Sequence, residues 1–290
     1  MQAFFFGLGF SSFATAEAMR ADGGFASISG TVRSAEKAGL LAGQGIEARL
    51  FDGTARSSSV AEALRRGVTH VIQSIAPDEH GDPVLRHHRD DLDAARDVQW
   101  LCYYSTVGVY GDFDGAWIDE SAPLVPRNMR SDRRVLAEQA WRDYAAARGV
   151  PLTILRLAGI YGPGRSTFDK LRAGTARRVI KPGQVFNRIH VADIARITTL
   201  AAKARLDGTF NLADDEPAPP QDVIELGAQM IGLTVPQDLP YATAEMTPMQ
   251  RSFYRDNKRV SNRAIKQALG IDLLYPDYRS GLRQILESEK

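Results

Sequence analysis

Short, largely apolar runs separated by helix-length amphipathic stretches fill the first 160 residues. The runs at 3–6, 25–31, 46–51, 69–75, 98–104 and 152–157 are too short for helices and read as strands buried on both faces. Between them, 12–21, 34–41, 59–66, 83–95 and 131–148 carry helical periodicity, and Ser59 with Glu62 predicts a capping box at the third. This alternation predicts an α/β fold, a Rossmann-like doubly wound parallel sheet. After about residue 160 the rhythm changes. Gly and Pro cluster at 159–164 and 182–183, and a helical stretch at 191–204 returns to the earlier style. A short strand at 209–212, a loop at 214–220 and helices near 221–231, 260–269 and 278–287 follow. The expected division is a sheet domain of 1–160 plus about 187–207, with a smaller lobe of about 161–186 plus 208–290. Open α/β sheets bind ligands at their C-terminal edge, where such a lobe is grafted.

Composition narrows the function classes. Of 290 residues 44% are apolar and 24% charged, with 36 basic against 35 acidic side chains. A formal charge of +1 gives no global field for nucleic acid or an anionic membrane, so a small-molecule partner is expected. Cys102 is the one cysteine, which excludes an internal disulfide framework and a Cys-rich zinc site. It lies among large apolar residues and reads as an inert thiol; no metal is expected. No apolar run reaches the eighteen residues of a membrane span. The N-terminal Met-Gln-Ala-Phe-Phe-Phe has no charged leader and reads as a first strand, so a cytoplasmic protein is expected.

Gly7-Leu8-Gly9-Phe10-Ser11-Ser12 follows the first strand and opens the first helix. It is the dinucleotide fingerprint with its third glycine replaced by Ser12. Gly7 permits the tight turn, Gly9 lets the backbone approach a pyrophosphate, and the helix N-terminus stabilises it. At the end of the second strand, NAD sites place a carboxylate for the ribose hydroxyls. Here stand Gly30-Thr31-Val32-Arg33-Ser34. Arg33, helped by Ser34, suits a 2′-phosphate, so NADP is preferred over NAD; the alternative is a solvated arginine in an Arg-rich chain.

Four further segments carry a family resemblance: Ser105-Thr106-Val107-Gly108-Val109-Tyr110-Gly111, the run from Leu155 to Gly164, Ile189-His190-Val191-Ala192-Asp193, and Gly208-Thr209-Phe210-Asn211-Leu212. In this order and spacing the chain resembles the extended short-chain dehydrogenase/reductase superfamily, its NAD(P)-dependent epimerase/dehydratase branch. The resemblance implies cofactor contacts at Ser74, Ile75 and Ala158, and substrate contacts at Tyr161, Arg165, Arg188 and Arg130. Family members use a Ser/Thr with a Tyr-x-x-x-Lys pair. The first carries over to Thr106; the positions of the pair hold Arg130 and Arg134. A guanidinium does not release a proton at neutral pH, so Arg134 is expected to supply only charge. The chain then resembles an atypical member. Tyr110 is the substitute candidate for proton transfer, or else a pocket wall. Asp112, Asp119 and Glu120 read as acids or as a solvated loop.

The motif Tyr254-x-x-x-Lys258 is a decoy by position. His190 reads as a structural, hydrogen-bonded imidazole. Arg251, Arg255, Lys258 and Arg259 read as an anion-binding wall or a solvated basic helix face. Relatives dimerise through the helices here at 83–95 and 131–148; core packing explains the apolar face of the second equally well. Two functions remain open. One is an enzyme of the reductase, epimerase or dehydratase type with a rearranged site. The other is an inactive dinucleotide-binding sensor.

Overall fold

The computed structural model describes residues 1–289. The chain runs β1 (Gln2–Phe6), α1 (Phe10–Asp22), β2 (Ser27–Val32), α2 (Ala35–Ala42), β3 (Glu47–Leu50), α3 (Ser58–Leu64), β4 (His70–Gln73), α4 (Pro83–Ala94) and β5 (Trp100–Thr106). Next come β6 (Trp117–Ile118), α5 (Met129–Arg148), β7 (Leu152–Leu157), β8 (Gly159–Tyr161), α6 (Thr167–Arg172), β9 (Arg178–Ile180), β10 (Arg188–His190) and α7 (Val191–Ala204). The remainder is β11 (Gly208–Leu212), α8 (Pro220–Met230), β12 (Asp238–Pro240), α9 (Pro248–Phe253), β13 (Arg259–Val260), α10 (Arg263–Leu269) and α11 (Tyr278–Ser288).

Two compact units emerge. The first holds Met1–Val109, Asn128–Arg156 and Ile194–Phe210; the second holds Tyr110–Arg127, Leu157–Asp193 and Asn211–Lys290. Residues 110–127, expected with the sheet domain, cluster with the second unit.

A seven-stranded sheet in the order β11-β7-β5-β4-β1-β2-β3 is the backbone of the first unit, with Leu157 and Asn211–Leu212 running on into the second. Strands β1 to β5 pair in parallel. The strand order reverses between β1 and β4, which puts a crevice at their C-terminal ends. Apolar burial explains why these runs became strands. Phe4, Phe5 and Phe6 are buried on both faces of β1, and Phe4 and Phe6 join Val71, Leu101, Tyr103 and Trp141 in one core. Asp82 caps α4 by accepting from the Val84 and Leu85 amides. Its other oxygen accepts from Trp141 Nε1 and Gln73 Nε2, fixing α5 and β4 to the same carboxylate. Buried Cys102 has its thiol pKa pushed up by burial, as suits an inert side chain.

The second unit is knit by two-stranded parallel bridges, β8–β10, β9–β12 and β6–β13. Its helices α8 and α11 pack Val223, Leu282 and Ile285 against Phe168 and Tyr161. Two local expectations are corrected. The third helix begins at Ser58, and Ser57 and Ser59 bond to one another, so the Ser59–Glu62 capping box does not form. The helix expected over 260–269 starts at Arg263, because Val260 pairs with Ile118 as a strand. No helix among the described residues is long and apolar enough to cross a membrane.

Candidate active site

The glycine loop is built at the β1–β4 crevice. Gly7 takes φ +90°, and a Cβ there would lie 2.9 Å from Ser74 Oγ and 3.0 Å from Ile75 Cγ1. The fold itself therefore demands this glycine. Its amide donates to Thr31 Oγ1 at 2.8 Å, and the Leu8 amide donates to Thr31 O. Thr31 is a brace that the sequence did not reveal, since a threonine in a strand is unremarkable. Ser12 fills the third-glycine position. Its hydroxyl donates to Ser74 Oγ at 2.9 Å, and Ser74 donates to the carbonyls of Phe6 and Gly7. The larger residue is accommodated because β4 supplies a hydroxyl to receive it. Half-buried Ser74 and Ile75 thus form the wall behind the loop.

Gly9 differs. Its φ of −80° suits any residue, and a Cβ would meet nothing within 4 Å. Nothing in the protein's own packing requires glycine here; close approach of a ligand to the backbone would. Gly9 is also the N-cap of α1, with no side chain closing the helix end. Phe10, half-buried, and the buried Ser11 complete the first turn. The uncapped helix N-terminus and open glycine fit a dinucleotide pyrophosphate.

At the end of β2, Arg33 is exposed and makes no ion pair among the described residues. Ser34 caps α2 by accepting from the Lys37 amide, which leaves its own proton free to donate.

Thr106 ends β5, half-buried, with Oγ1 accepting the Gly108 amide at 3.1 Å. Arg134 reaches back from α5 to the same strand end. It donates to Tyr104 O at 2.7 Å and Tyr103 OH at 3.1 Å, over the Tyr103 ring. Arg130 is exposed. Beneath Thr106 lies a network missed in the sequence. Glu138, fully buried, accepts from Ser105 Oγ at 2.5 Å and takes a two-pronged bond from Arg156 at 3.1 and 2.8 Å. Arg142 bonds the same carboxylate and Thr209. Five charged or polar side chains thereby lock β5, α5, β7 and β11 below the site.

In the second unit, Tyr110 is fully buried and donates to Asn211 Oδ1 at 2.7 Å. Expected as an acid/base group or a pocket wall, its phenol is instead committed inside the fold. The segment after it is strapped to 256–261. Asp112 accepts the Asn257 amide, Asn257 O accepts from Phe113 and Gly115, and Arg259 bonds Gly115 O. Glu120 accepts the Asn211 amide at 2.7 Å. The basic cluster of the sequence is corrected here, because it lies on no single helix face. Lys258 is buried on Gly111 O, Arg259 belongs to β13, and Arg251 covers the Tyr241 ring.

Ala158 is buried and donates its amide to Leu212 O. Tyr161 is wedged against α11, its hydroxyl where a Cβ on Gly281 would fall. His190 lies between Tyr161 and Tyr275, with Nδ1 accepting the Ala192 amide; burial pushes its pKa down to about 4 and keeps it neutral. Arg165 is exposed. Arg188 donates to the carbonyls of Phe186 and Ala218 at 3.0 Å. Near it, Asp214 is buried, and neither carboxylate oxygen completes a hydrogen bond. Burial raises its pKa to about 8, although Arg188 and the Glu216 amide pull the other way. A cleft of roughly 1060 Å³ in this unit is lined by Trp117, Asp119, Arg263 and Lys266; of the residues singled out in the sequence only Asp119 lines it.

The profile of the NAD dependent epimerase/dehydratase family matches residues 84–213, starting beyond the glycine loop. The match takes in 130 of the 290 residues, so the chain resembles that family over rather less than half its length. A solved structure of a conserved protein of unknown function from Silicibacter pomeroyi is 44% identical, over 99% of this chain and 98% of that one, with a TM-score of 0.89. A Streptomyces 3-diazoavenalumate denitrifying reductase is 28% identical over 57% of this chain and 58% of its own. A UDP-glucose 4-epimerase from Corynebacterium glutamicum is 26% identical over 51% of this chain and 53% of its own. The chain thus spans little more than half the length of these two curated relatives. The seven-stranded sheet with a glycine loop at its switch point is the arrangement on which open α/β sheets bind ligands.

Proposed function

We propose that this protein is a member of the short-chain dehydrogenase/reductase superfamily, an NADP(H)-dependent enzyme of the reductase or epimerase/dehydratase type acting on a small molecule. The observation that carries the reading is Gly9, a glycine that neither conformation nor packing requires, at an uncapped helix end. Gly7, Gly9 and the first-turn amides of Phe10, Ser11 and Ser12 would hold the pyrophosphate. Arg33 and the Ser34 proton would hold the 2′-phosphate, a charge-assisted contact that NAD cannot offer. Bound, the dinucleotide supplies or accepts a hydride. Thr106 Oγ1 has its acceptor side taken by the Gly108 amide, so its proton points to a substrate oxygen. Arg134, fixed by two oxygens of β5, lends positive charge.

Calorimetry tests the reading. NADP(H) should bind more tightly than NAD(H), and Arg33→Ala should erase the difference while leaving NAD(H) affinity nearly unchanged. A protein that prefers NAD(H), or binds neither cofactor at millimolar concentration, refutes it. Transfer of deuterium from 4-deuterated NADPH across a carbonyl panel separates the enzyme from an inactive sensor.

A further inference from the structure

One hydroxyl near Thr106 serves neither the fold nor the reading above. Ser131 sits in the first turn of α5, 6% exposed. Its amide donates to Asn128 Oδ1 at 3.0 Å. Its side-chain oxygen makes no hydrogen bond among the described residues, yet it is not sealed in and keeps a sliver of solvent contact. A serine near a helix start commonly bonds a neighbouring backbone group; this one does not.

Its surroundings are specific. A methyl placed on Gly108 would lie 3.1 Å from Ser131 Oγ and 3.4 Å from Thr106 Oγ1. The two hydroxyls therefore flank one gap, no further apart than those two distances together. Gly108 keeps the gap open. Arg134 follows Ser131 by three residues and shares its helix face, its guanidinium anchored on Tyr104 O, two residues before Thr106. A half-free hydroxyl, an unbonded hydroxyl and a fixed cation thus converge at the C-terminal end of β5, within the first unit.

We infer that Ser131 and Thr106 form a two-hydroxyl clamp on a single substrate oxygen, with Arg134 as the charge behind it. The inference rests on the dinucleotide reading and deepens it. The ligand class is a carbonyl compound or its alcohol. Both hydroxyls donate hydrogen bonds that strengthen as negative charge grows on that oxygen, and neither gives up its proton; the alkoxide left by hydride transfer takes its proton from solvent water. Ser131 then takes over the substrate-holding part of the phenol expected from the family resemblance. The glycine at 108 acquires a reason as well, since any side chain would wedge between the two donors.

The test is a crystal structure of the NADP⁺ complex soaked with 2-propanol, together with kinetics of Ser131→Ala, Ser131→Thr and Gly108→Ala. One oxygen should lie within about 3.2 Å of both Thr106 Oγ1 and Ser131 Oγ. With whichever carbonyl of the panel is reduced, Ser131→Ala and Gly108→Ala should each lower kcat about 10²-fold, the usual cost of one lost donor. NADPH affinity should stay within a few-fold, and Ser131→Thr should recover most of the rate. An oxygen held by Thr106 alone, or full activity in Ser131→Ala, overturns the clamp while leaving the cofactor reading intact. Wild-type protein that binds no NADP(H) overturns both.

Discussion

The two units treat buried polarity in opposite ways. In the first, buried charges are matched. Glu138 is bonded by Ser105, Arg142 and Arg156, and Asp82 accepts four bonds. His88 donates to Asp91, which Arg56 grips with two nitrogens. His70 is bonded through both ring nitrogens. In the second unit, Thr167, Arg178, Gln221 and Asp256 each hold a buried polar atom without a partner; in the first, only Glu17 does, among the described residues. Buried polar groups left unmatched cost stability, so they mark where a fold has been shaped for something besides itself. The first unit reads as a finished platform, the second as a surface kept adaptable.

The largest effect should follow from breaking the matched side. Glu138→Ala strands two buried or half-buried arginines and should destabilise the protein by about 3–5 kcal/mol in urea unfolding. Asp214→Asn replaces a carboxyl that burial keeps protonated with a neutral side chain of the same shape, and should be neutral or stabilising. Equal costs for the two would erase the contrast.

Gly9→Val should abolish NADP(H) binding by calorimetry with the thermal midpoint kept, since no protein atom lies within 4 Å of the added Cβ. Retained affinity would make the loop a mere turn.

Asp214 also sets a pH test. Its pKa of about 8 in the folded state lies above the ordinary carboxylate value. The folded form holds a proton that the unfolded chain releases near pH 4, so stability falls as pH rises between about 4 and 8. The slope can reach about 1.4 kcal/mol per pH unit for one group. Asp214→Asn should lack this component, gaining on the wild type toward pH 8. Parallel pH curves for the two proteins would show that Asp214 is ionised inside the fold.

The smallest effect belongs to Ser12→Gly, which restores the usual glycine. It removes one hydrogen bond to Ser74 and should cost about 1 kcal/mol, with NADP(H) affinity within a few-fold. A large loss of affinity would give Ser12 a direct role at the cofactor.

The same contrast governs what the chain disclosed before its structure was known. Strands such as 152–157 and the helix at 191–204 were legible because their burial is continuous or periodic within a short window. The bridges β8–β10, β9–β12 and β6–β13 were not. Each pairs two or three residues with a distant segment, too few for any period to emerge. At the site, Gly7 and Gly9 announced themselves through spacing. Thr31, Glu138 and Ser131 did not, because their roles depend on what lies across the fold. Tyr110 misled for the same reason: its neighbour Asn211 is 101 residues away.

The strap between 111–118 and 256–261 has a consequence for how the chain is made. Gly115 and its partner Arg259 are 144 residues apart. At a translation speed of roughly 5–20 residues per second, the partner leaves the ribosome some 7–30 s later. Through that interval the nascent chain can complete β1 to β5 while the segment just beyond Thr106 still lacks its pairing edge. Until Arg259 emerges, that edge is open to chaperones and to wrong strands alike.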